Sequence, residues 1–350
     1  MNTELILFLQ ELLVTLLIFL LLLLRLGKPV SAAVYLNITL LFLAATGIRL
    51  VWIGYRGVLF GGLFATVPMM VIQKTILLFA AFLLVLLNYE SLKKHPHLPE
   101  LLMLLLSSLL GMLLLISSGT MLMLYLSLEL ATLPLSALVS FDLGKKSSSE
   151  VAMKMVFSSA FASGILLFGI SLFYGAYGTL RFAEIPYAIK GSSLEVMAFL
   201  FMIAGFAFKL SAVPFHFWTA DVYEGAPTPV TAFLSVVSKA AVAFVFLSFL
   251  YRVFQALGQT TQTVLTLLAL LSLVVGNLFA LRQQNLKRFL AFSSITQMGF
   301  VMVAISSGST LSSPAVIYFM LIYLFSNLAA FGVVELVSLK TGRETIAEFA

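Results

Sequence analysis

Four ionisable residues, Glu129, Lys154, Lys209 and Lys239, sit inside apolar stretches that would otherwise read as uninterrupted membrane spans. An ionised side chain at the bilayer centre costs about 2.5–3.5 kcal/mol on insertion scales, so such groups face a bundle interior or a water-filled path. The chemistry open to one carboxylate and three amines in that setting is proton transfer. Burial favours the neutral form of an amine and a nearby carboxylate favours the ammonium, so a lysine held between the two influences can exchange a proton near neutral pH. Neighbouring lysines also repel, so loading one promotes release from the next.

Glu129 is followed by Pro134 at the same spacing at which Lys209 is followed by Pro214. A proline has no N–H and collides with the carbonyl four residues back, here those of Leu130 and Leu210. Both positions therefore read as helix breaks that free a carbonyl beside an ionisable side chain. Broken helices at membrane depth build ion sites where they line protein or water, although a proline can also kink a helix for packing alone. Lys239 lies about twelve residues into the stretch that opens at Pro227, roughly 18 Å deep at 1.5 Å per residue, with the Ser235 and Ser238 hydroxyls near it. Lys154 comes only one helical turn after Glu150, so it can also snorkel to the membrane surface. His216, beyond the Pro214 break, can relay protons near neutrality or serve as a hydrogen-bonded interfacial histidine beside Trp218.

The elements that position these residues follow from composition. The chain is 61% hydrophobic and 10% charged, with a mean hydropathy of +1.12; soluble domains carry about 25% charged residues. This is an all-α, polytopic membrane bundle, and its apolar runs are far too long for an outer-membrane barrel. Eleven spans are expected, at roughly 4–25, 31–53, 65–88, 99–117, 119–140, 150–177, 195–217, 227–252, 262–281, 289–307 and 313–339. Turn residues separate them at Gly27–Pro29, His95–Pro96, Ser117–Gly119, Gly144–Ser147, Gly191–Ser193, Gly225–Pro227 and Gly308–Ser309. The first run carries Glu4 and Glu11 and is too long for a cleavable signal peptide.

The formal charge of +6 is scattered through loops rather than gathered into a nucleic-acid surface. Arg25, Lys28, Lys93, Lys94, Lys145, Lys146, Arg282, Lys287, Arg288, Lys340 and Arg343 fall on one side; the fewer residues Arg49, Arg56, Lys74, Arg181, Lys190 and Arg252 fall on or near the other. The richer side is cytoplasmic by the positive-inside rule, which puts the N-terminus outside. The absence of cysteine excludes cysteine-ligated iron–sulfur clusters, c-type haem attachment and disulfides within this chain. Of three histidines, His95 and His97 flank Pro96 in a loop, so a bis-histidine haem is hard to build. No metal or cofactor site is expected here.

The run from Phe208 to Lys239, which holds Lys209, Pro214, His216, Trp218 and the turn Gly225-Ala226-Pro227-Thr228-Pro229, resembles the antiporter-like proton-conducting subunits of respiratory complex I, NADH–quinone oxidoreductase. Their family also includes Mrp-type cation/proton antiporter subunits. The stretches Leu124–Pro134, Glu150–Gly178 and Asn285–Gly299 share the resemblance, which is most specific over residues 124–300. It implies a relay of Glu129, Lys154, Lys209 and Lys239, with Lys154 buried, and a discontinuous helix seven at Pro214. It also implies inverted five-helix repeats: N-terminal helices over 1–98, a first repeat over 99–252 and a second over 262–350. Relatives continue with a second broken helix and its lysine, so the second repeat reads as incomplete. Gln297 stands where many relatives carry histidine.

The function so implied is proton translocation in the inner (plasma) membrane of a bacterium, coupled to electron transfer in partner subunits. NADH, FMN, iron–sulfur clusters and quinone are expected in those partners, and only the lipid bilayer and other subunits against this chain. The competing readings are a subunit of a cation/proton antiporter or membrane-bound hydrogenase, and a non-conducting membrane scaffold. The loop charges yield a direct expectation. Single cysteines replacing Lys93 or Lys145 in this cysteine-free chain should resist an impermeant thiol reagent added to intact cells, whereas one replacing Ser192 should react. Labelling at position 145 from outside would reverse the orientation.

Overall fold

With no water in a bilayer core to satisfy backbone N–H and C=O groups, long apolar runs must pair those groups internally, and the helix is the local solution. The computed structural model describes residues 3–28, 30–141, 146–185, 189–341 and 345–349. Pro29, Gly144, Lys145 and Arg343, used above for breaks and loop charge, lie outside the described residues, as does the C-terminal end of the 262–350 segment. After a short turn of helix at Thr3–Leu7, the chain forms α1 (Leu9–Leu26), α2 (Ala32–Ala45), α3 (Pro68–Leu87), α4 (Leu98–Ile116), α5 (Met121–Val139) and α6 (Lys146–Tyr177). Then come α7a (Ser193–Lys209), α7b (Phe217–Gly225), α8a (Thr228–Phe233), α8b (Lys239–Val253), α9 (Gly258–Ala280), α10 (Leu286–Ser306) and α11 (Ser312–Thr341).

The helix starts are written locally. The Thr120 hydroxyl accepts from Met123 N–H at 3.1 Å to cap α5, and Asn285 Oδ1 accepts from the Lys287 and Arg288 N–H groups to cap α10. Ser192 and Glu195 form a reciprocal capping box on α7a. Pro68, Pro99 and Pro229 occupy first-turn positions, where a missing N–H costs nothing.

Among the described residues, ten helices are long and apolar enough to cross a membrane. The expected seventh span is the exception: α7a stops after 17 residues and the chain resumes as α7b, past the expected end at residue 217. A second difference lies between α2 and α3. Here a two-stranded antiparallel hairpin, β1 (Gly57–Leu59) and β2 (Phe64–Thr66), replaces a plain loop. It docks against the α4–α5 turn, with Ala65 N–H donating to Ser117 O and Gly119 N–H to Leu63 O, both at 2.8 Å.

The α8 unit is the axis of the bundle. Within Thr228–Val253, 89% of the span is buried, against 33% for the α9 and α11 spans. Its sequence is apolar on all sides, as a helix surrounded by protein should be, and α3, α4, α7a and α11 pack around α8b. Consecutive helices pair closely where glycine removes a side chain. A Cβ on Gly111 of α4 would lie 2.4 Å from the Ala131 backbone nitrogen of α5, and one on Gly276 of α9 would meet Thr296 of α10 at 2.4 Å.

These contacts predict opposite effects for one substitution. Gly111→Ala should force α4 from α5 at a cost of about 1–3 kcal/mol, read as a lower melting temperature of the solubilised chain. Gly164→Ala, whose Cβ would meet nothing within 4 Å, should be neutral or stabilising by about 0.5–1 kcal/mol.

Candidate functional site

Lys209 is the last residue of α7a, and its ammonium donates to Thr132 Oγ1 of α5 at 2.9 Å and Ser159 Oγ of α6 at 2.8 Å. One helical turn along each of those helices, Ser163 Oγ donates in a short bond to the Glu129 carboxylate. Thr132 and Glu129 share a face of α5, and Ser159 and Ser163 a face of α6, because residues three or four apart in a helix are neighbours. The Glu129 charge acts on Lys209. Sequence spacing thus places a carboxylate and an ammonium one helical turn apart along α5 and α6, each bonded to its own hydroxyls.

The backbone beyond Lys209 explains how α7 can be interrupted at membrane depth. Ser211 takes a left-handed φ of 60°, the Val213–Pro214 bond is cis, and the helix resumes at Phe217. Ala212 N–H donates to Ala207 O at 2.8 Å, Val213 N–H to Ser272 Oγ of α9 at 3.0 Å, and Trp218 Nε1 to Phe208 O at 3.2 Å. The exposed ends of the break are therefore met by protein groups, as the bilayer requires.

Lys239 opens α8b directly after a π-helical turn, Leu234–Ser238. π turns inside α-helices concentrate at functional sites, and nothing in the sequence pattern announced this one. The side chain is 1% exposed; its ammonium donates to Ser294 Oγ of α10 at 2.5 Å and lies 5.5 Å from the Tyr223 ring centre. No carboxylate bonds to it among the described residues. Ser235, named in the sequence reading, instead pairs with the Tyr323 hydroxyl at 3.0 Å. The two lysines thus differ: Lys209 has a carboxylate one turn away, and Lys239 has one hydroxyl and a ring among the described residues.

Two expectations are corrected. Lys154 is not buried within the chain: its side chain is 48% exposed and pairs with Glu150 at 2.9 Å and Asp221 at 3.0 Å. The same Asp221 binds Arg288 at 2.8 Å, and Arg288 also binds Glu224 at 2.8 Å, so Lys154 belongs to a surface ion network across α6, α7b and α10. Pro134 does not break its helix, since α5 runs through it to Val139. A proline removes one N–H from the ladder, and the helix resumes beyond it; in the turn before it the Ala131 carbonyl accepts from Ser108 Oγ of α4 at 2.6 Å. His216 does start the second half of helix seven, but its buried ring lies against Phe217 and Phe292 and bonds no lysine among the described residues.

A further buried charge pair was missed. Lys74 of α3 meets Glu11 of α1 at 2.6 Å, with side chains 1% and 0% exposed, and Arg49, also 1% exposed, is close enough to sense Glu11. Lys74 and Arg49 are therefore interior charges rather than loop charges, which widens the asymmetry behind the orientation. The signal was present: Glu11 interrupts an apolar run, and Lys74 lies well inside the helix that Pro68 begins. Removing one member of such a pair strands the other. Lys74→Met or Glu11→Gln alone should destabilise the chain by about 3–5 kcal/mol, and the double variant should recover most of it, as measured by thermal denaturation in detergent.

Comparison with known proteins places this geometry. The sequence profile of the family described as "NADH:quinone oxidoreductase/Mrp antiporter, TM" matches residues 118–349, which contain every relay candidate. NADH-quinone oxidoreductase subunit N of Phocaeicola vulgatus is 42% identical over 287 residues, covering 81% of this chain and 61% of its own length. The chain thus spans about three fifths of the length of such curated relatives. A chain of respiratory complex I from Thermus thermophilus superposes with a TM-score of 0.78 at 32% identity, over 93% of this chain and 70% of that one. A chain of the Mrp complex from a Dietzia species shares the fold, with a TM-score of 0.81 at 18% identity over 93% and 64% of the two chains. The chain belongs to the NADH:quinone oxidoreductase/Mrp antiporter family of membrane proteins.

Proposed function

We propose that this chain is an antiporter-like membrane subunit of an NADH–quinone oxidoreductase and translocates protons through Glu129, Lys209 and Lys239, driven by electron transfer in partner subunits. The observation that carries the reading is the lodging of two lysines among hydroxyls at the two places where membrane helices are interrupted, the α7 break and the α8 π turn. An ammonium taken from water is tolerated only where protein groups replace its hydrogen bonds. Both lysines have such replacements, so each can hold a proton in the interior and release it. Lys154, on the surface beside Asp221, stands at the cytoplasmic mouth of the path. Glu129 faces the proton held on Lys209; its transfer toward Lys239 brings a positive charge to a site where, among the described residues, a hydroxyl and a ring stand in place of a bonded carboxylate.

Neither flavin, iron–sulfur cluster, NADH nor quinone is assigned to this chain, and these belong to partner subunits of the complex. Their redox steps act on the relay by altering the hydration or charge around the lysines. The protein resides in the inner membrane of a bacterium, with its N-terminus outside. The first repeat comprises α4 to α8b, and α9 to α11 belong to a second. The likeness to subunit N sequences favours this reading over the antiporter one, because it is far stronger in sequence than the likeness to the Mrp chain. Flavin and iron in the purified assembly would support it; an assembly lacking both and exchanging cations for protons would replace it.

Two sets of variants test the relay in proteoliposomes containing the assembled complex. Lys209→Met and Lys239→Met should each lower proton translocation by about tenfold, equivalent to about 1.4 kcal/mol in a rate-limiting step, with subunit content unchanged. Wild-type translocation in both would refute the reading. Glu129→Asp should keep part of the activity that Glu129→Gln loses. If Gln serves as well as Glu, the carboxylate is only a hydrogen-bond acceptor for Ser163.

A further inference from the structure

The space around Lys239 holds more hydroxyl groups than one ammonium needs. Ser294 of α10 bonds the ammonium and the Tyr223 ring of α7b lies 5.5 Å away, with Ser235 of the π turn and Tyr323 of α11 next in line, none of the four more than 3% exposed. They come from four different elements, and neither tyrosine was marked by the spacing of buried charges and prolines. Ser235 and Tyr323 are hydrogen-bonded at 3.0 Å. The Tyr223 hydroxyl, fully buried, has no aligned partner, although Ser235 and Ser294 lie within its reach. Buried hydroxyls are nearly always paired, so an unpaired one between two others, beside a buried ammonium, calls for a reason.

Ser294 supplies it. Its oxygen accepts from Lys239 at 2.5 Å while its own proton is donated to Ala291 O at 3.0 Å, one turn back in α10. In this arrangement Ser294 receives from the lysine but points its proton away from the tyrosines. A rotation about one side-chain bond would turn that proton toward Tyr223, whose free hydroxyl would then bridge Ser294 and Ser235.

We propose that Tyr223 and Tyr323 carry the Lys239 proton toward α11 through a hydroxyl relay, Lys239 to Ser294 to Tyr223 to Ser235 to Tyr323, that Ser294 opens by leaving Ala291 O. The inference rests on the proposed role of Lys239 as a proton carrier. Lys239 gives up one proton and becomes neutral. Each hydroxyl gains the incoming proton on its oxygen and releases the one it held, so every serine and tyrosine ends neutral and no tyrosinate forms. Tyr323 delivers the last proton to water on the α11 side. The hydroxyls must then rotate back before a second transfer, which makes the relay pass single protons rather than leak. The Tyr223 ring packs edge-on to Phe331 at 6.3 Å, which fixes the direction of its hydroxyl.

The test uses the assembled complex in proteoliposomes, with proton translocation measured per NADH oxidised, in H₂O and in D₂O. Tyr223→Phe and Tyr323→Phe remove one oxygen and keep the ring. Each should slow translocation about fivefold at unchanged subunit content and enlarge the solvent deuterium isotope effect, which a packing role would leave alone. Ser235→Ala should slow it similarly and Ser235→Thr, which restores a hydroxyl, should recover most of the rate. That serine pair decides the matter if a tyrosine variant fails to assemble. Wild-type rates and isotope effects in the phenylalanine variants, or in Ser235→Ala, with translocation abolished in Lys239→Met, would overturn the hydroxyl relay and leave the lysine reading standing. Wild-type translocation in Lys239→Met would overturn both.

Discussion

An ammonium group remains inside a membrane protein only where protein oxygens take the place of the water it has left. Most of what is distinctive in this bundle follows from meeting that condition twice. Lys209 is served by hydroxyls from α5 and α6, and Lys239 by one from α10. Helices far apart in sequence are thereby tied to one another at the charge. The close α4–α5 contact at Gly111 belongs to the same requirement, because it fixes the helix that presents Glu129 and Thr132. Packing and charge placement are here one problem.

The interior also shows two ways of tolerating a charge. Glu11 of α1 and Lys74 of α3 meet directly at 2.6 Å, each the partner of the other's charge. Lys209 shares a cluster with a carboxylate but does not bond it directly, and Lys239 has no carboxylate among its bonded partners. The gradient from fully paired to unpaired follows the chain inward from the N-terminal helices to the axial α8.

Much of this was legible in the sequence because the bilayer makes composition speak clearly. Helix number, the split at Pro214 and the burial of Lys239 all follow from apolar run length, proline chemistry and the penalty for burying charge. What was not legible depended on contacts between runs. Lys154 lies near the end of its helix, where an interior and a surface position differ only in which neighbour it faces, and Asp221 of α7b decides that. Pro134 carries the same local signal as Pro214, yet α5 runs through it to Val139 while α7 stops, a difference that the spacing of charge and proline does not contain. Tyr223 and Tyr323 are ordinary aromatic residues until tertiary structure brings their hydroxyls to Lys239. The hairpin over Gly57–Thr66 was missed for a simpler reason: strands of three residues leave no periodicity to detect.

The π turn before Lys239 has a consequence for how the chain tolerates change in length. A π turn accommodates one residue more than an α turn would, and one residue is about 100° of rotation around a helix axis. The azimuth of everything in α8b relative to α8a is therefore set by a residue count within Leu234–Ser238, whatever the identity of those residues. Loss of a single residue there would let the segment relax to a regular helix and swing the lysine to a different side of the most enclosed helix in the protein. Substitutions in this turn would be judged by size and polarity, but insertions and deletions would be judged by angle, and the turn acts as a phase-setting joint in the middle of the bundle.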